Sequence, residues 1–318
     1  MVLGISNSDL AAATGSDAAL RRFLFGLPGV DQVGADARAA GLATRSIKAQ
    51  TKRDLIDLAI SMIDLTTLEG ADTPGKVAAM CAKAMHPDPT DASVPHTAAV
   101  CVYGDMVPHA LRALGPGSPI SVAAVATAFP SGRASLDVKI LDVRDAVANG
   151  AHEIDMVIDR GAFLSGRYLQ VLEEIQAVKQ ACESAHLKVI LETGELQTYD
   201  NVRMASWLAM LGGADFIKTS TGKVQPAATA PVVLVMLEAV RDWLDVTGHH
   251  IGMKPAGGLR TTKDAMRMLV LVHEVAGDDW LTPDLFRIGA STLLNDLLLQ
   301  RQRMRDGAYS GPNYVTLD

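Results

Sequence analysis

The chain has 318 residues, 48% of them hydrophobic, which is enough for one large domain or two ordinary ones with a sizeable core. Its formal charge is −7, from 29 Lys and Arg against 36 Asp and Glu, so a nucleic-acid backbone is a poor partner for its surface. No apolar run reaches the ~20 residues a membrane-spanning helix takes; the longest candidate, 232–240, carries Glu238.

Residues 1–10 show no basic start followed by an apolar stretch, so no signal peptide is expected. The three cysteines, Cys81, Cys101 and Cys182, are odd in number and far apart. Such a set is no disulfide framework and suits a reducing compartment. The expectation is a soluble, cytoplasmic protein.

Residues 1–54 precede any repeat and read as a helical extension, with short helices over 16–26 and 33–41 around Leu27-Pro28-Gly29. From there to about 305, β-branched runs alternate with segments of helical spacing. Strands are predicted at 61–66, 97–103, 120–127, 153–158, 187–193, 215–219, 250–254 and 285–289, and helices between them. The helices include 134–149, 167–185, 228–246 (stopped by Gly248) and 261–275 (opened by Thr261 with Asp264 three residues on).

About eight β-then-α units predict a parallel sheet, and ~250 residues is the size of a closed (β/α)8 TIM barrel. The alternative, an open doubly wound sheet, usually carries G-x-G-x-x-G after its first strand; residues 67–75 hold no such pattern. Residues 306–318, rich in Gly, Ser, Pro and Asn, read as a flexible tail.

Barrel strands are buried on both faces and should be nearly continuous apolar runs. Charges that burial makes costly are singled out in three of them. Side-chain alternation puts Phe216 with Lys218, Gly252 with Lys254, and Glu153 with Asp155 on shared faces. Gly252 is read as leaving room below Lys254. If these faces point inward, Lys218, Lys254 and Asp155 converge near the C-terminal mouth, where barrel enzymes do their chemistry. An internal salt-bridge cluster is the other arrangement the pattern allows. Two lysines have a chemical use: burial and a second cation disfavour protonation of an amine, which can then attack a carbonyl and form a Schiff base. Asp155 is the candidate acid–base group.

Three late loops combine glycines, hydroxyls and cations: Thr221-Gly222-Lys223, Gly257-Gly258-Leu259-Arg260, and Gly289-Ala290-Ser291-Thr292 at the start of the last helix. Close backbone approach and a helix N-terminus suit a phosphate. Gly222-Lys223 is not a P-loop, because position 217 is Ile and 224 is Val. Cys101 reads as a buried core thiol, Glu192 and Glu195 as structural carboxylates, and the adjacent His249 and His250 face opposite ways, so no zinc site is expected.

Several segments together resemble the deoxyribose-phosphate aldolase family, in its longer-chain form. They are Ile63-Asp64-Leu65-Thr66-Thr67-Leu68, Glu153-Ile154-Asp155-Met156-Val157, Leu191-Glu192-Thr193-Gly194-Glu195-Leu196, Phe216-Ile217-Lys218-Thr219-Ser220-Thr221-Gly222-Lys223, Lys254-Pro255-Ala256-Gly257-Gly258-Leu259-Arg260 and Phe286-Arg287-Ile288-Gly289-Ala290-Ser291.

The resemblance implies class I aldolase chemistry on 2-deoxy-D-ribose 5-phosphate. In it Lys218 is the Schiff-base lysine, Lys254 lowers its pKa, Asp155 relays protons, and Asp64 lies near Lys254. Gly222, Lys223, Gly257, Gly258, Arg260, Gly289 and Ser291 match the phosphate site, and Thr292 stands where many relatives have serine. Neither a metal nor an organic cofactor is implied, and a homodimer is. Some members end on a tyrosine that reaches the active site; Tyr309 and Tyr314 are the residues in range here. A related aldolase or transaldolase on another sugar phosphate, or a non-catalytic sugar-phosphate-binding barrel, are the competing functions.

Overall fold

The computed structural model describes residues 4–45 and 49–307; the tail expected from 306, with Tyr309 and Tyr314, lies outside them from 308 on. Four helices come first: α1 (Asn7–Ala13), α2 (Asp17–Gly26), α3 (Gln32–Leu42) and α4 (Ala49–Ser61). Strands and helices then alternate as β1 (Ile63–Thr66), α5 (Pro74–Met85), β2 (Ala99–Tyr103), α6 (Val107–Leu114), β3 (Ser121–Ala126), α7 (Leu136–Ala148) and β4 (Glu153–Val157). After α8 (Arg160–Leu164) and α9 (Tyr168–Ala181) come β5 (His186–Ile190), α10 (Tyr199–Leu211), β6 (Phe216–Lys218), α11 (Ala230–Thr247), β7 (Gly252–Lys254), α12 (Thr262–Val275), β8 (Ile288–Ala290) and α13 (Leu293–Asp306).

The eight strands are parallel, in the order β7-β6-β5-β4-β3-β2-β1-β8. The two ends meet: Met253 N–H donates to Leu285 C=O (2.9 Å), Arg287 N–H to Met253 C=O (3.1 Å), and Gly289 N–H to Pro255 C=O (2.9 Å). The sheet is therefore the closed (β/α)8 barrel that the repeat predicts.

Local chemistry sets most helix ends. Thr261 and Asp264 form a reciprocal capping box at α12, Ser16 caps α2, and Gly248 ends α11 in the left-handed region at φ 74°. Several boundaries differ from expectation, among them β5, which ends at Ile190 rather than 193, and β8, which starts at Ile288 rather than 285. α4 runs through Ser61, because Ile56, Ala59 and Ile60 bury one helical face, so β1 starts only at Ile63. α9 stops at Ala181, and the chain turns through Glu183 at φ 51° to enter β5. α1 was not expected, although Ser6 and Asp9 form a capping box at its start.

The helices before the barrel pack on its outer layer. Phe23 of α2 meets Trp207 of α10 edge-on (5.7 Å), and Arg38 of α3 pairs with Glu238 of α11 (2.5 Å). Asp200 accepts from the Val30 N–H at 2.7 Å.

Alternation divides the strands cleanly. Leu65, Val100, Val122, Ile154, Met156, Leu187, Val189, Ile217, Met253 and Ile288 join one core with the surrounding helices. The opposite faces put Asp64, Glu153, Asp155, Lys188, Lys218 and Lys254 inside the barrel with Arg287, all of them buried.

Gly252 is explained differently from the sequence reading. The space beside it is filled by the Phe216 ring: a Cβ on Gly252 would lie 2.3–2.5 Å from three ring carbons. The ring in turn faces Lys188 and Arg287, at 5.9 and 5.8 Å from its centroid. Gly252→Ala is expected to destabilise by about 1–3 kcal/mol through overpacking. A urea melt would show a lower midpoint at unchanged slope; an unchanged midpoint would mean the ring moves aside freely.

Candidate active site

The barrel interior at this level is ionic. Lys218, ending β6, and Lys254, ending β7, are register partners, so their side chains rise together from adjacent strands. Both amines reach Asp155 Oδ2 of β4, each at 2.8 Å. Lys254 also lies 2.6 Å from Asp64 Oδ2 of β1. Lys188 of β5 pairs with Glu153 and lies 3.2 Å from Asp155 Oδ1. Arg287 donates to Asp64 Oδ1 (2.7 Å) and Glu153 Oε1 (3.0 Å).

These environments separate two lysines that look alike in sequence. Burial pushes the Lys218 amine below the usual lysine range and the Lys254 charge adds to this, against the pull of Asp155. Lys254 is equally buried, but Asp155 and Asp64 outweigh burial and hold it above that range. Burial alone would raise the Asp155 carboxyl; the charges of Lys188, Lys218 and Lys254 win and hold it well below the carboxylate range. Asp64 is held low in the same way by Lys254 and Arg287.

Above Lys218 opens a cavity of about 190 Å³. Lys218 lines it, and so do Thr221, Gly222, Lys223, Gly257, Gly258, Arg260, Gly289, Ser291 and Thr292, every residue expected at the phosphate loops. Asp155, Asp64 and Lys254 lie beneath, fully buried, and connect to the cavity through the contact of Asp155 with Lys218.

The loops are stitched to one another. Thr219 Oγ1 accepts from the Ala256 N–H (2.9 Å) and donates to the Ala256 C=O (3.1 Å). Glu192 accepts from Thr221 N–H (3.2 Å) and Oγ1 (2.5 Å), and burial raises its carboxyl. Glu195 pairs with Arg160 at 2.7 Å. Both glutamates thus have structural partners, as expected. Gly257 has φ 83°, and a Cβ there would come within 2.8 Å of Ala227 Cβ and 3.1 Å of Gly222 Cα, so the two loops touch only because it is glycine. Lys223 pairs with Glu69 of the β1 loop at 2.8 Å, spanning the mouth.

Cys101 sits 4.0 Å from Asp155 Oδ2, in a small apolar cluster with Leu68, Ala123 and Val125. Burial raises its thiol.

Three members of the ionic cluster, Lys188, Arg287 and the partnering role of Glu153, were missed from sequence. The signal was present: Lys188 and Arg287 are also charges inside segments read as dry strands, and the criterion that singled out Lys218 applies to them equally.

Residues 58–298 match the model of the DeoC/LacD family of aldolases. The chain belongs to that family. Human deoxyribose-phosphate aldolase is 47% identical over 277 residues, covering 84% of this chain and 87% of that protein. A putative deoxyribose-phosphate aldolase from Caenorhabditis elegans is 46% identical over 263 residues, 82% of this chain and 86% of that one. Among solved structures, a putative deoxyribose-phosphate aldolase from Coccidioides immitis superposes with a TM-score of 0.64 at 30% identity, over 85% of this chain and 99% of that chain. The part matched to the DeoC/LacD aldolases contains the whole ionic cluster and all three glycine-bearing loops, whereas α1–α3 precede it. Among the described residues, no helix is long and apolar enough to cross a membrane.

Proposed function

We propose that this DeoC/LacD aldolase uses Lys218 as a Schiff-base nucleophile and reversibly cleaves 2-deoxy-D-ribose 5-phosphate to D-glyceraldehyde 3-phosphate and acetaldehyde. One observation carries the assignment of the nucleophile: of the lysines in the ionic cluster, Lys218 is the one that lines the cavity and the one whose surroundings favour the free amine.

The Lys218 amine adds to the C1 carbonyl of the open-chain sugar, and loss of water gives an iminium. The C3 hydroxyl proton leaves, the C2–C3 bond breaks, and its electron pair passes into the iminium to give an enamine and glyceraldehyde 3-phosphate. Protonation of the enamine at C2 and hydrolysis release acetaldehyde and restore the amine. Asp155, which touches both amines, is the group placed to relay these protons together with Lys254. Asp64 holds Lys254 in place from β1. The phosphate binds Lys223, Arg260, the hydroxyls of Thr221, Ser291 and Thr292, and backbone N–H groups of the glycine loops and the start of α13. Lys223 would exchange Glu69 for the phosphate as the substrate enters. The three buried, unpaired cysteines support a reducing, cytoplasmic setting.

The test is acetaldehyde release by the pure protein from 2-deoxy-D-ribose 5-phosphate and from unphosphorylated 2-deoxy-D-ribose. Charge-assisted hydrogen bonds contribute about 1.5–3 kcal/mol each, so two of them favour the phosphorylated sugar by about 100-fold or more in kcat/KM. Turnover of only some other sugar phosphate would make this a related aldolase. Tight binding of deoxyribose 5-phosphate with no turnover would make it a binding protein.

A further inference from the structure

The ionic contacts beneath Lys218 close into a ring. Asp155 contacts Lys188, Lys188 contacts Glu153, Glu153 contacts Arg287, Arg287 contacts Asp64, Asp64 contacts Lys254, and Lys254 returns to Asp155. Each ring carboxylate bridges two cations, and each ring cation bridges two carboxylates. Counted as ions, the ring holds Asp64, Glu153 and Asp155 against Lys188, Lys254 and Arg287, and is neutral. Lys218 stands outside it as a spur, with one ionic contact, to an Asp155 oxygen that Lys254 already shares.

We propose that Lys188, Glu153 and Arg287 are positioning residues of the aldolase: by closing a neutral ring with Asp64, Asp155 and Lys254, they leave no uncompensated carboxylate for a charged Lys218, which therefore rests as the free amine that attacks the substrate. This rests on Lys218 being the Schiff-base lysine.

The physical argument is one of compensation. All these side chains are buried, Lys218 included, and a buried ion persists only where an opposite charge offsets its lost hydration. If the ring had one cation fewer, Asp155 would be free to hold a proton on Lys218. If it had one carboxylate fewer, the charged form of Lys218 would be opposed further. The groups facing Lys218 are Asp155 of β4 and Lys254 of β7, with the Cys101 thiol of β2 beside Asp155. Lys188, Glu153, Arg287 and Asp64 act on it through these two. Lys254 alone does not explain a free amine at Lys218, because the two carboxylates it contacts, Asp64 and Asp155, more than offset its charge; the spur position of Lys218 depends on the far side of the ring.

The rule predicts opposite effects from two neighbouring substitutions. Cyanoborohydride trapping of acetaldehyde on Lys218, mapped by peptide mass across pH 5–9, reads the free-amine fraction. Lys188→Met is expected to move the midpoint of trapping to higher pH and Glu153→Gln to lower pH. Each shift should be on the order of one pH unit, about tenfold in rate below the midpoint, as for one unit charge at an effective dielectric of about 20. The double variant removes one charge of each sign and is expected to return the midpoint to that of wild type. A merely structural role would lower trapping in all three variants without moving the midpoint.

Wild-type protein without an adduct on Lys218 would refute the nucleophile itself. A wild-type adduct, with midpoints that stay fixed or shift the same way in both single variants, would overturn the ring proposal. If Lys188→Met fails to fold, the downward shift in Glu153→Gln and its reversal in the double variant decide the matter by the same rule.

Discussion

Lys218→Ala is expected to fold normally and to lose aldol cleavage by on the order of 10⁴-fold or more, the effect of removing a covalent nucleophile. Borohydride added during turnover of deoxyribose 5-phosphate should mark the peptide containing Lys218 in the wild type, and that mark should vanish in the variant. The expectation that folding survives comes from the same geometry. Lys218 makes one ionic contact, and its amine is held below the usual range mainly by burial. A lysine whose folded pKa is lowered costs stability at pH values where it would be protonated in the unfolded chain. Its removal should therefore leave the urea midpoint at pH 7 unchanged or raised. An adduct on Lys254 would reverse the roles of the two lysines. That outcome would require an amine gripped by two carboxylates and held above the ordinary range to be the better nucleophile.

Asp155→Asn is expected to damage stability and activity together. Asp155 contacts Lys188, Lys218 and Lys254, and the amide would leave those cations without their shared counter-ion. Breaking a buried ionic contact by removing one partner costs about 3–5 kcal/mol. Loss of the proton relay adds about 10²- to 10⁴-fold in kcat.

The pH dependence has a definite sign. The Asp155 carboxyl lies well below its ordinary value in the folded protein, so its contribution is fully present above the unfolded value of about 3.9 and is lost as pH falls through the folded one. Asp64 acts in the same direction. Wild-type urea midpoints should fall progressively as pH drops below about 4, and the Asn variant should show a shallower fall from a lower start. Parallel curves would mean that Asp155 carries little of the acid sensitivity.

The barrel was legible in the sequence because its signals are local. β-branched runs, Gly and Pro punctuation and helical spacing recur along residues 63–306, and each unit announces itself within a few tens of residues. The proposed catalytic triplet was legible for a related reason. A charge in a strand that should be dry is conspicuous from its neighbours alone, and alternation tells which face it takes. The proposed phosphate loops were read from glycines, hydroxyls and cations that follow strands at the barrel's C-terminal end. Where local reading slipped, packing had overridden it, as in the burial that carries α4 through Ser61.

The sequence by itself thus determined the architecture, the candidate lysines and aspartate that the structure brings together, and the family. Only the tertiary structure decided which charge neutralises which. Arg287 meets Asp64 from 223 residues away, and Lys188 meets Glu153 from 35. In the linear chain, Lys188 and Arg287 show only as charges inside dry strands, with nothing to say which partner each will meet. Closure of β8 onto β1 and β7 brings them inside, where lost hydration must be offset by specific partners. The same closure sets the Phe216 ring against Gly252, a fit that neither residue foreshadows in sequence. Pairing of buried charges is a property of the closed barrel, because it depends on distances that exist only once the first and last strands meet.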